Sequence, residues 1–384
     1  MTLQLLGGLT VKQFLSRHWQ QRPLLVRQAM QDFKAIVQPA ELLRLAQRDD
    51  VESRWVARTG RRWEARNGPF SRAELARAPD ENWTLLVQGV NLHHRAADEL
   101  LRHFAFIPHA RLDDVMISYA APGGGVGPHL DSYDVFLLQS SGRRRWRVGP
   151  VEDASLIRGA PLKLLRHFKP TQEWVLEPGD MLYLPPGYAH DGVALDACTT
   201  CSIGFRAPTP RELGRALLAR LEETLDERLV QSMYSDRGLH ASSSAGRIPS
   251  RMARFAQASA RRALSRPEDM ALVLGEHLSE PKAHVVFTPP RPALPVRTFM
   301  RRAAAAGLRL DARTRLLYDA KLFYINGEAM TAPTGASRVL RRLADKRLLL
   351  ARELLVVKPG SECEALLNGW YRAGWLHAGS HASP

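Results

Sequence analysis

The chain has 384 residues, which suggests two or three domains, and its 45% hydrophobic and 24% charged residues indicate a globular protein. It has no apolar run of about 18 residues and no signal-peptide pattern, and its three cysteines make no disulfide framework, so we expect no membrane association and a cytoplasmic location. The net charge of +15 favours a nucleic acid or ribonucleoprotein partner, although arginine-rich helices with solvated faces produce the same excess.

Residues 1 to about 110 are predicted to mix helices and strands. An amphipathic helix over Thr10–Trp19 begins at a capping threonine, and a second helix is expected over Pro39–Arg48. Short strands are expected at Pro23–Val26 and Trp83–Val87.

Residues 111 to 206 are rich in short apolar segments that Gly or Pro turns separate. These segments are VMISYA, DVFLLQ, RRWRV, EWVLE, MLYLP and CTTCSIGF. Several strands at such spacing predict a barrel or a double-sheet jelly roll.

The chain becomes helical after Arg206. The segment PTPRELGRALLARLEETLDERLV predicts one helix, a Ser/Gly-rich break follows, and further helices are expected from about Arg251 to Ser279. Pro-rich Thr288–Pro295 is typical of a linker. From Val296 onward we predict a small α+β unit with a hairpin at Asn326-Gly327 and two helices, VLRRLADKR and CEALLNGWYRAGWL.

A close pair of metal-binding residue types, His129 and Asp131, lies in GGGVGPHLDSYDVFLLQ, and His190 ends MLYLPPGYAH. Because alternate residues of a strand share a face, five side chains should point the same way: His129, Asp131, Tyr133, Val135 and Leu137. Two His and one carboxylate form the ligand set of non-haem Fe(II) oxygenases, which leaves positions for an organic acid and dioxygen. Taken alone, the pair fits a solvent-exposed loop histidine beside a turn aspartate better than a metal site.

A buried cation is predicted in SGRRRWRVG. Alternation places Arg144 on the face of Trp146 and Val148, which is the buried face, so its guanidinium needs an anion. That anion is either an acidic side chain of the protein or the distal carboxylate of 2-oxoglutarate.

Two weaker motifs have plainer interpretations. The glycines of GGGVG form no phosphate loop because no GK[ST] follows, and they indicate either a mobile lip or a simple turn. Cys198 and Cys201 lack a second pair and fit a buried strand better than a zinc or redox site. Trp370 and Trp375 are expected in a core.

The run from Asp113 to Arg147, DDVMISYAAPGGGVGPHLDSYDVFLLQSSGRRRWR, resembles the JmjC-type 2-oxoglutarate oxygenases. Among these it is most similar to the bacterial ribosomal oxygenases that hydroxylate an arginine of a large-subunit ribosomal protein, the sixteenth. GDMLYLPPGYAH, SIGFRAPTPREL and FLSRHWQQRPLLVRQA resemble the same family. The resemblance is specific over about 111–210, moderate before it and weak after it.

The resemblance implies an α+β fold with a double-stranded β-helix core of the jelly-roll or cupin type. It implies a JmjC-like catalytic domain with a helical N-terminal part over 1–206, a helical dimerisation region over 207–290, and a winged-helix-like domain over 296–384. A homodimer is therefore expected. Protein–protein contact is preferred to nucleic acid binding for the last domain, because fold analogy alone does not establish function.

The resemblance also implies roles for individual residues. His129, Asp131 and His190 would bind Fe(II), Arg144 would bind the co-substrate 2-oxoglutarate, and Ser118 matches a position that contacts it as well. With dioxygen, such enzymes decarboxylate 2-oxoglutarate to succinate and carbon dioxide while they hydroxylate a carbon of the substrate.

An arginine substrate requires a locally acidic entrance in this basic protein. Asp113, Asp114, Asp134 and Asp191 lie near the expected mouth, and Tyr133 could stack on a guanidinium. Tyr133 and Asp134 are therefore candidate substrate contacts, although alternation directs Asp134 away from Asp131 unless the strand bulges.

The leading interpretation is an Fe(II)- and 2-oxoglutarate-dependent protein hydroxylase that 3-hydroxylates an arginine of a large-subunit ribosomal protein. One alternative changes the target to a ribosomal histidine or the reaction to N-methyl demethylation. Another is a non-catalytic jelly-roll module that docks on ribosomes, which a buried Arg144 argues against. Contact with ribosomal RNA stays open.

Overall fold

The computed structural model describes residues 4–228, 233–235, 237–238, 246–263 and 267–379. These residues form two compact units. The first comprises the described residues of Met1–Ala207, Lys282–Arg313 and Asp345–Pro384, and the second those of Pro208–Pro281 and Thr314–Ala344.

The N-terminal helices of the first unit cover one side of a sheet. The first, α1 (Val11–Arg17), begins as predicted at Thr10, whose Oγ1 accepts a hydrogen bond from the Gln13 amide at 3.2 Å. The next helices are α2 (Pro39–Leu45), α3 (Arg72–Ala76) and α4 (Arg95–Arg102).

Two antiparallel sheets form the centre of the first unit, which confirms the predicted double-sheet jelly roll. Their strands are β1 (Leu24–Val26), β2 (Ser53–Thr59), β3 (Arg62–Asn67), β4 (Trp83–Val87), β5 (Leu112–Ala120), β6 (His129–Leu130), β7 (Val135–Ser141), β8 (Arg144–Pro150), β9 (Gln172–Leu176), β10 (Met181–Leu184), β11 (Tyr188–Ala194) and β12 (Cys198–Phe205). The larger sheet has the order β1-β10-β7-β12-β5-β4-β2-β3, and the smaller one β6-β11-β8-β9.

An aromatic core fixes the helices against the larger sheet. Phe14 of α1 lies 5.0 Å from the ring of Tyr183 and 5.6 Å from that of Phe136, measured between centroids. Phe14 and Phe136 are fully buried. Removing a core aromatic of this kind typically destabilises a protein by about 3–5 kcal/mol. The sheet that carries the cavity is therefore rigidly backed.

The remaining elements follow Phe205. They are α5 (Pro210–Arg228), α6 (Ser250–Ala263), α7 (Pro267–Ser279), α8 (Val296–Ala306), β13 (Leu308–Leu310), β14 (Leu316–Tyr318), β15 (Phe323–Ile325), β16 (Glu328–Met330), α9 (Ser337–Lys346), β17 (Leu348–Leu349), α10 (Glu362–Arg372) and β18 (Leu376–Ala378), with 3₁₀ turns at Val90–Leu92 and Ala351–Glu353. The end predicted for the first helix, at 229–230, and most of the Ser/Gly-rich break lie outside the described residues.

The C-terminal predictions hold in part, because α10 ends at Arg372 and Trp375, which was predicted in that helix and in a core, lies beyond it and is half-buried. Asn326 and Gly327 both have positive φ, 51° and 90°, and they join β15 to β16 as the predicted hairpin. Thr288–Pro295 contains neither helix nor strand, as a linker should. Trp370 is buried. No helix among the described residues has the length and apolarity needed to cross a membrane.

Candidate active site

A cavity of about 830 Å³ lies between the two sheets of the first unit. All five side chains that alternation predicted to share a face line it: His129, Asp131, Tyr133, Val135 and Leu137. The strand itself is interrupted, because residues 131–134 belong to no strand between β6 and β7. The side chains from His129 to Leu137 therefore keep alternating between two faces, although the strand is interrupted at 131–134.

Three potential metal ligands converge inside this cavity. One ligand atom from each of His129, Asp131 and His190 lies within 4.8 Å of the others. His190 is paired directly with His129 across β11 and β6, and its Nε2 lies 3.6 Å from Asp131 Oδ2. His190 follows the turn at 186–187 and lies within β11, a different strand from that of His129. Antiparallel pairing thus unites ligands that are distant in sequence.

Main-chain carbonyl groups fix the orientation of each imidazole ring. His129 Nδ1 lies 2.9 Å from the carbonyl oxygen of Gly127, and His190 Nδ1 lies 3.4 Å from that of Tyr188. A carbonyl oxygen can only accept a hydrogen bond, so each Nδ1 carries the proton and each Nε2 keeps its lone pair. Both Nε2 atoms are thereby prepared to bind a metal.

Burial shifts the pKa of Asp131 and of His190, which together with His129 we call the metal centre. Desolvation raises the pKa of Asp131, an effect that nearby His129 partly offsets. Desolvation also lowers the pKa of His190 well below 6.5, and the neighbouring His129 lowers it further. A buried carboxylate is stabilised by a nearby cation. The donor set fits Fe(II) and leaves coordination positions for other ligands.

Arg144 presents an unsatisfied guanidinium to the same cavity. Its side chain is buried, and its Nη1 donates to Ser118 Oγ at 3.2 Å. Its Nε and Nη2 have no hydrogen-bond partner among the described residues, and none of those residues forms an ion pair with it. The alternative of an internal salt bridge is therefore wrong for the described part of the chain. Two unpaired donors on one planar group fit a carboxylate.

Trp146 lies close to both Arg144 and the metal centre. Its ring lies 5.7 Å from Arg144 Cζ and 5.8 Å from the ring of His190. A Cβ added to Gly192, its partner across β11, would lie 2.6 Å from the indole. The absence of a side chain at Gly192 therefore makes room for the indole.

A second group of charges lies farther along β5. Asp113, Asp114 and Lys282, which we call the acid end, line the cavity together. Lys282 Nζ is 3.0 Å from Asp114 Oδ2 and 3.4 Å from Asp113 Oδ1. Asp114 and Ser118 are four strand residues apart, which corresponds to about 13 Å. The acid end is thus well separated from the bond between Ser118 and Arg144.

Burial dominates the electrostatics of the acid end. Desolvation raises the pKa of Asp114, and Lys282 opposes that rise. Tyr133 lines the cavity with 40% of its surface exposed, and desolvation together with the carboxylates of Asp131, Asp114 and Asp113 raises the pKa of its phenol. Tyr133 is therefore a neutral, accessible ring in a carboxylate-rich region.

Asp134 and Asp191 are not part of the cavity lining. Asp134 is fully buried, and it accepts hydrogen bonds from Tyr183 Oη at 2.6 Å and from Gln20 Nε2 at 3.1 Å. Asp191 is paired with Arg147 on the opposite face of β11 from His190. The structure therefore places Asp134 away from the predicted substrate position, because its side chain alternates into the core behind the sheet.

The glycines of GGGVG are explained by close packing. A Cβ on Gly124 would lie 2.1 Å from the carbonyl oxygen of Trp83, and one on Gly125 would lie 2.4 Å from that of Gly192. Gly127 has φ +74° and faces Leu164 and Trp63. The loop is thus packed against its neighbours on both sides. Cys198 and Cys201 are buried and free in β12, as predicted.

Two family models match the chain. The model described as the JmjC domain matches residues 99–213, and the model described as the ROXA-like winged helix matches residues 260–377. Together with the double-sheet barrel, the metal centre and the buried Arg144, this match defines the class: a JmjC oxygenase that depends on Fe(II) and 2-oxoglutarate.

Individual relatives narrow the class. The chain is 38% identical over 283 residues to the ribosomal protein uL16 3-hydroxylase of Escherichia coli, which covers 73% of this chain and 74% of that protein. It is 39% identical over 205 residues to a probable ribosomal oxygenase of Haemophilus influenzae, covering 52% and 50% of the two chains. The chain belongs to the family of bacterial ribosomal oxygenases.

A solved structure supports the assignment of the cofactors. The ribosomal oxygenase YcfD of Escherichia coli, in complex with cobalt and 2-oxoglutarate, matches with a TM-score of 0.82 and 33% identity over 96% of this chain and 98% of that one. The winged-helix match begins at residue 260, inside the region predicted as a separate helical segment. The division at 206, 290 and 296 stays a prediction.

The sequence analysis missed Lys282. This residue is 168 positions from Asp114 and lies in a segment without helix or strand, so no local pattern connects the two. Glu52, Leu156 and Ile157 also line the cavity without having been predicted. An exposed loop or a solitary charge gives no periodic signal.

Proposed function

We propose that the protein 3-hydroxylates an arginine of a large-subunit ribosomal protein. The observation that carries this proposal is the acid end: two neighbouring carboxylates line the same cavity as the metal centre. A positively charged side chain is attracted to such a pair, and a guanidinium can use both oxygens of a carboxylate. The similarity to a uL16 3-hydroxylase supports the ribosomal target.

The reaction converts the substrate C–H, dioxygen and 2-oxoglutarate into the C–OH product, succinate and carbon dioxide. His129, Asp131 and His190 would hold Fe(II), which supplies the activation of dioxygen when bound. Arg144 and Ser118 would hold the distal carboxylate of 2-oxoglutarate through their unpaired donors. The apolar walls, including Val135 and Leu137, exclude water around the reacting carbon.

Substrate placement is assigned to the acid end. Asp114 would accept hydrogen bonds from the guanidinium, and the ring of Tyr133 would stack on its plane. The aliphatic part of an arginine could then extend along β5 toward the metal centre, past Met116, which also lines the cavity. Binding at the charged tip would thereby position an unactivated carbon.

The acid end also weighs against other targets. A neutral histidine would bring no positive charge to the carboxylate oxygen of Asp114 that Lys282 does not contact, so this alternative is disfavoured. Demethylation of a methylated cation would fit the same charges, and the product distinguishes it, since it releases formaldehyde and removes mass. A non-catalytic module does not account for the unpaired donors of Arg144.

Mass spectrometry of ribosomal proteins from cells with and without the gene tests the proposal. We expect a mass increase of one oxygen on an arginine of one large-subunit protein, lost in the deletion strain and restored by the wild-type gene. A complementing His129→Ala gene is the matched control and should not restore it. An unchanged set of ribosomal protein masses would refute the proposal.

Dimerisation and location remain parts of the proposal. Helix α6 has no buried residue and exposes Met252 and Phe255, which supports its burial in a homodimer. Light scattering of the purified protein tests this, since Phe255→Glu should produce monomers. We further propose a cytoplasmic location, where ribosomal proteins are accessible, and we regard contact with ribosomal RNA as secondary to protein contact.

A further inference from the structure

The ammonium of Lys282 lies where a substrate cation would be expected to bind. Its Nζ bridges Asp114 Oδ2, at 3.0 Å, and Asp113 Oδ1, at 3.4 Å. Lys282 is about one-third exposed and lines the cavity, so it is accessible to whatever enters. The acid end therefore contains one built-in lysine side chain.

The two oxygens of Asp114 are used differently. Oδ2 accepts hydrogen bonds from Lys282 and also from the backbone N–H of Gly89, at 2.9 Å. Oδ1 accepts no hydrogen bond from the described residues and faces Gly204, where an added Cβ would lie 3.7 Å away. Gly204 lines the cavity too. Oδ2 of Asp114 is thus paired within the protein, whereas Oδ1 faces the cavity.

We infer that Lys282 is a specificity-determining residue that favours a guanidinium over an ammonium at the acid end. This inference rests on the proposed function and deepens it. An incoming lysine offers a compact point charge, and the position that suits such a charge is already filled by Lys282. A planar guanidinium can instead reach Asp114 Oδ1 with one edge and stack on Tyr133 with its face.

Charge balance leads to the same conclusion. Lys282 offsets part of the negative charge of the two carboxylates, so an incoming cation meets a less negative acid end than Asp113 and Asp114 alone would form. A second ammonium beside Lys282 would be repelled by its positive charge, and only the carboxylates that the two cations share would screen this repulsion. Like charges in contact oppose binding. Removing Lys282 should therefore strengthen the binding of both cations, and that of the ammonium more.

The experiment uses the full chain loaded with Mn(II) and 2-oxoglutarate without oxygen, at pH 8. Calorimetry measures the Kd of N-acetyl-arginine methylamide, N-acetyl-lysine methylamide and the neutral N-acetyl-citrulline methylamide. We expect Lys282→Met to reduce the preference for arginine over lysine about tenfold, with citrulline unchanged. The matched control is Lys163→Met, which removes an exposed lysine that also lines the cavity.

Two further variants keep the test decisive. Lys282→Gln retains a hydrogen-bond donor without the charge and should reproduce the change if Lys282→Met fails to fold. In an Asp114→Asn background, Lys282→Met should change the preference much less. An unchanged preference in a folded Lys282 variant, or weaker binding of both cations, would overturn the inference.

The two proposals fail separately. If no ribosomal arginine is hydroxylated in cells but Lys282→Met still changes the preference, the proposed target is wrong and the role of Lys282 stands. If arginine hydroxylation is found and the preference does not change, the target stands and Lys282 has no part in selecting it.

Discussion

The metal centre and the acid end, two regions of one cavity, differ in how far the protein itself pairs their polar groups. At Arg144, Nε and Nη2 have no hydrogen-bond partner among the described residues, and at the metal centre three ligand atoms converge within 4.8 Å of one another. At the acid end, Lys282 and a backbone amide already satisfy one oxygen of Asp114. Groups without protein partners mark the positions of small molecules that every turnover requires. Groups with partners mark a position where an incoming side chain must compete.

The largest effect is expected from the metal centre. His129→Ala should abolish 2-oxoglutarate turnover. The loss should exceed the about 10- to 100-fold loss that follows removal of a residue that only orients a metal ligand. Succinate formation by the purified enzyme with Fe(II) measures it. The matched control is His167→Ala, which removes an exposed histidine outside the cavity lining. Full turnover by the His129 variant would show that the metal lies elsewhere.

Arg144→Ala should raise the KM for 2-oxoglutarate by about 30-fold or more, because a buried charge-assisted pair is lost. Iron affinity should change little, since Arg144 is not a ligand. Arg143→Ala, a change at the adjacent exposed arginine, should leave the KM unaltered. Equal losses of iron and 2-oxoglutarate affinity in the Arg144 variant would contradict the assigned role.

Asp114→Asn should lower kcat/KM for an arginine-containing substrate by about 10-fold, the effect of losing one charge-assisted hydrogen bond. Succinate formation without substrate should persist, because the metal centre is intact. This contrast separates the two regions directly. Equal loss of coupled and uncoupled turnover would mean that Asp114 supports the fold and not the substrate.

The smallest effect on activity is expected at Asp134, three residues after Asp131. Asp134→Asn places an amide nitrogen near the donors Gln20 Nε2 and Arg111 Nη2, so the free energy of unfolding should fall by about 1–3 kcal/mol. Urea unfolding measures this, and turnover of the folded variant should match the wild type. A selective loss of substrate affinity would show instead that Asp134 contributes to substrate binding.

Local periodicity predicted much of the metal centre but not all of the cavity. The alternation of His129 and Asp131 and the inward side of Arg144 follow from strand geometry and were correct. The position of His190 within β11 depends on pairing with β6, which no local pattern encodes. Lys282 was missed for the same reason, since chain distance hides contacts made by irregular segments.

The acidic residues show a further limit of prediction from the sequence. Four aspartates lie near the expected entrance in sequence, yet only Asp113 and Asp114 among them line the cavity. Asp134 and Asp191 are held by tyrosine, glutamine and arginine donors on the other faces of their sheets. Strict alternation directs Asp134 away from Asp131, and this alternation holds across the break at 131–134.

The carbonyl groups behind the two histidines make this site unusually insensitive to mutation. In many metalloenzymes an acidic side chain orients the ligand, and a point mutation can remove it. Here the acceptors belong to the peptide bonds of Gly127 and Tyr188, which every amino acid possesses. Only a change that moves the backbone can disturb them, and Gly127, with its positive φ, is where we expect such sensitivity. Random mutagenesis should therefore find few variants with weakened rather than abolished iron binding.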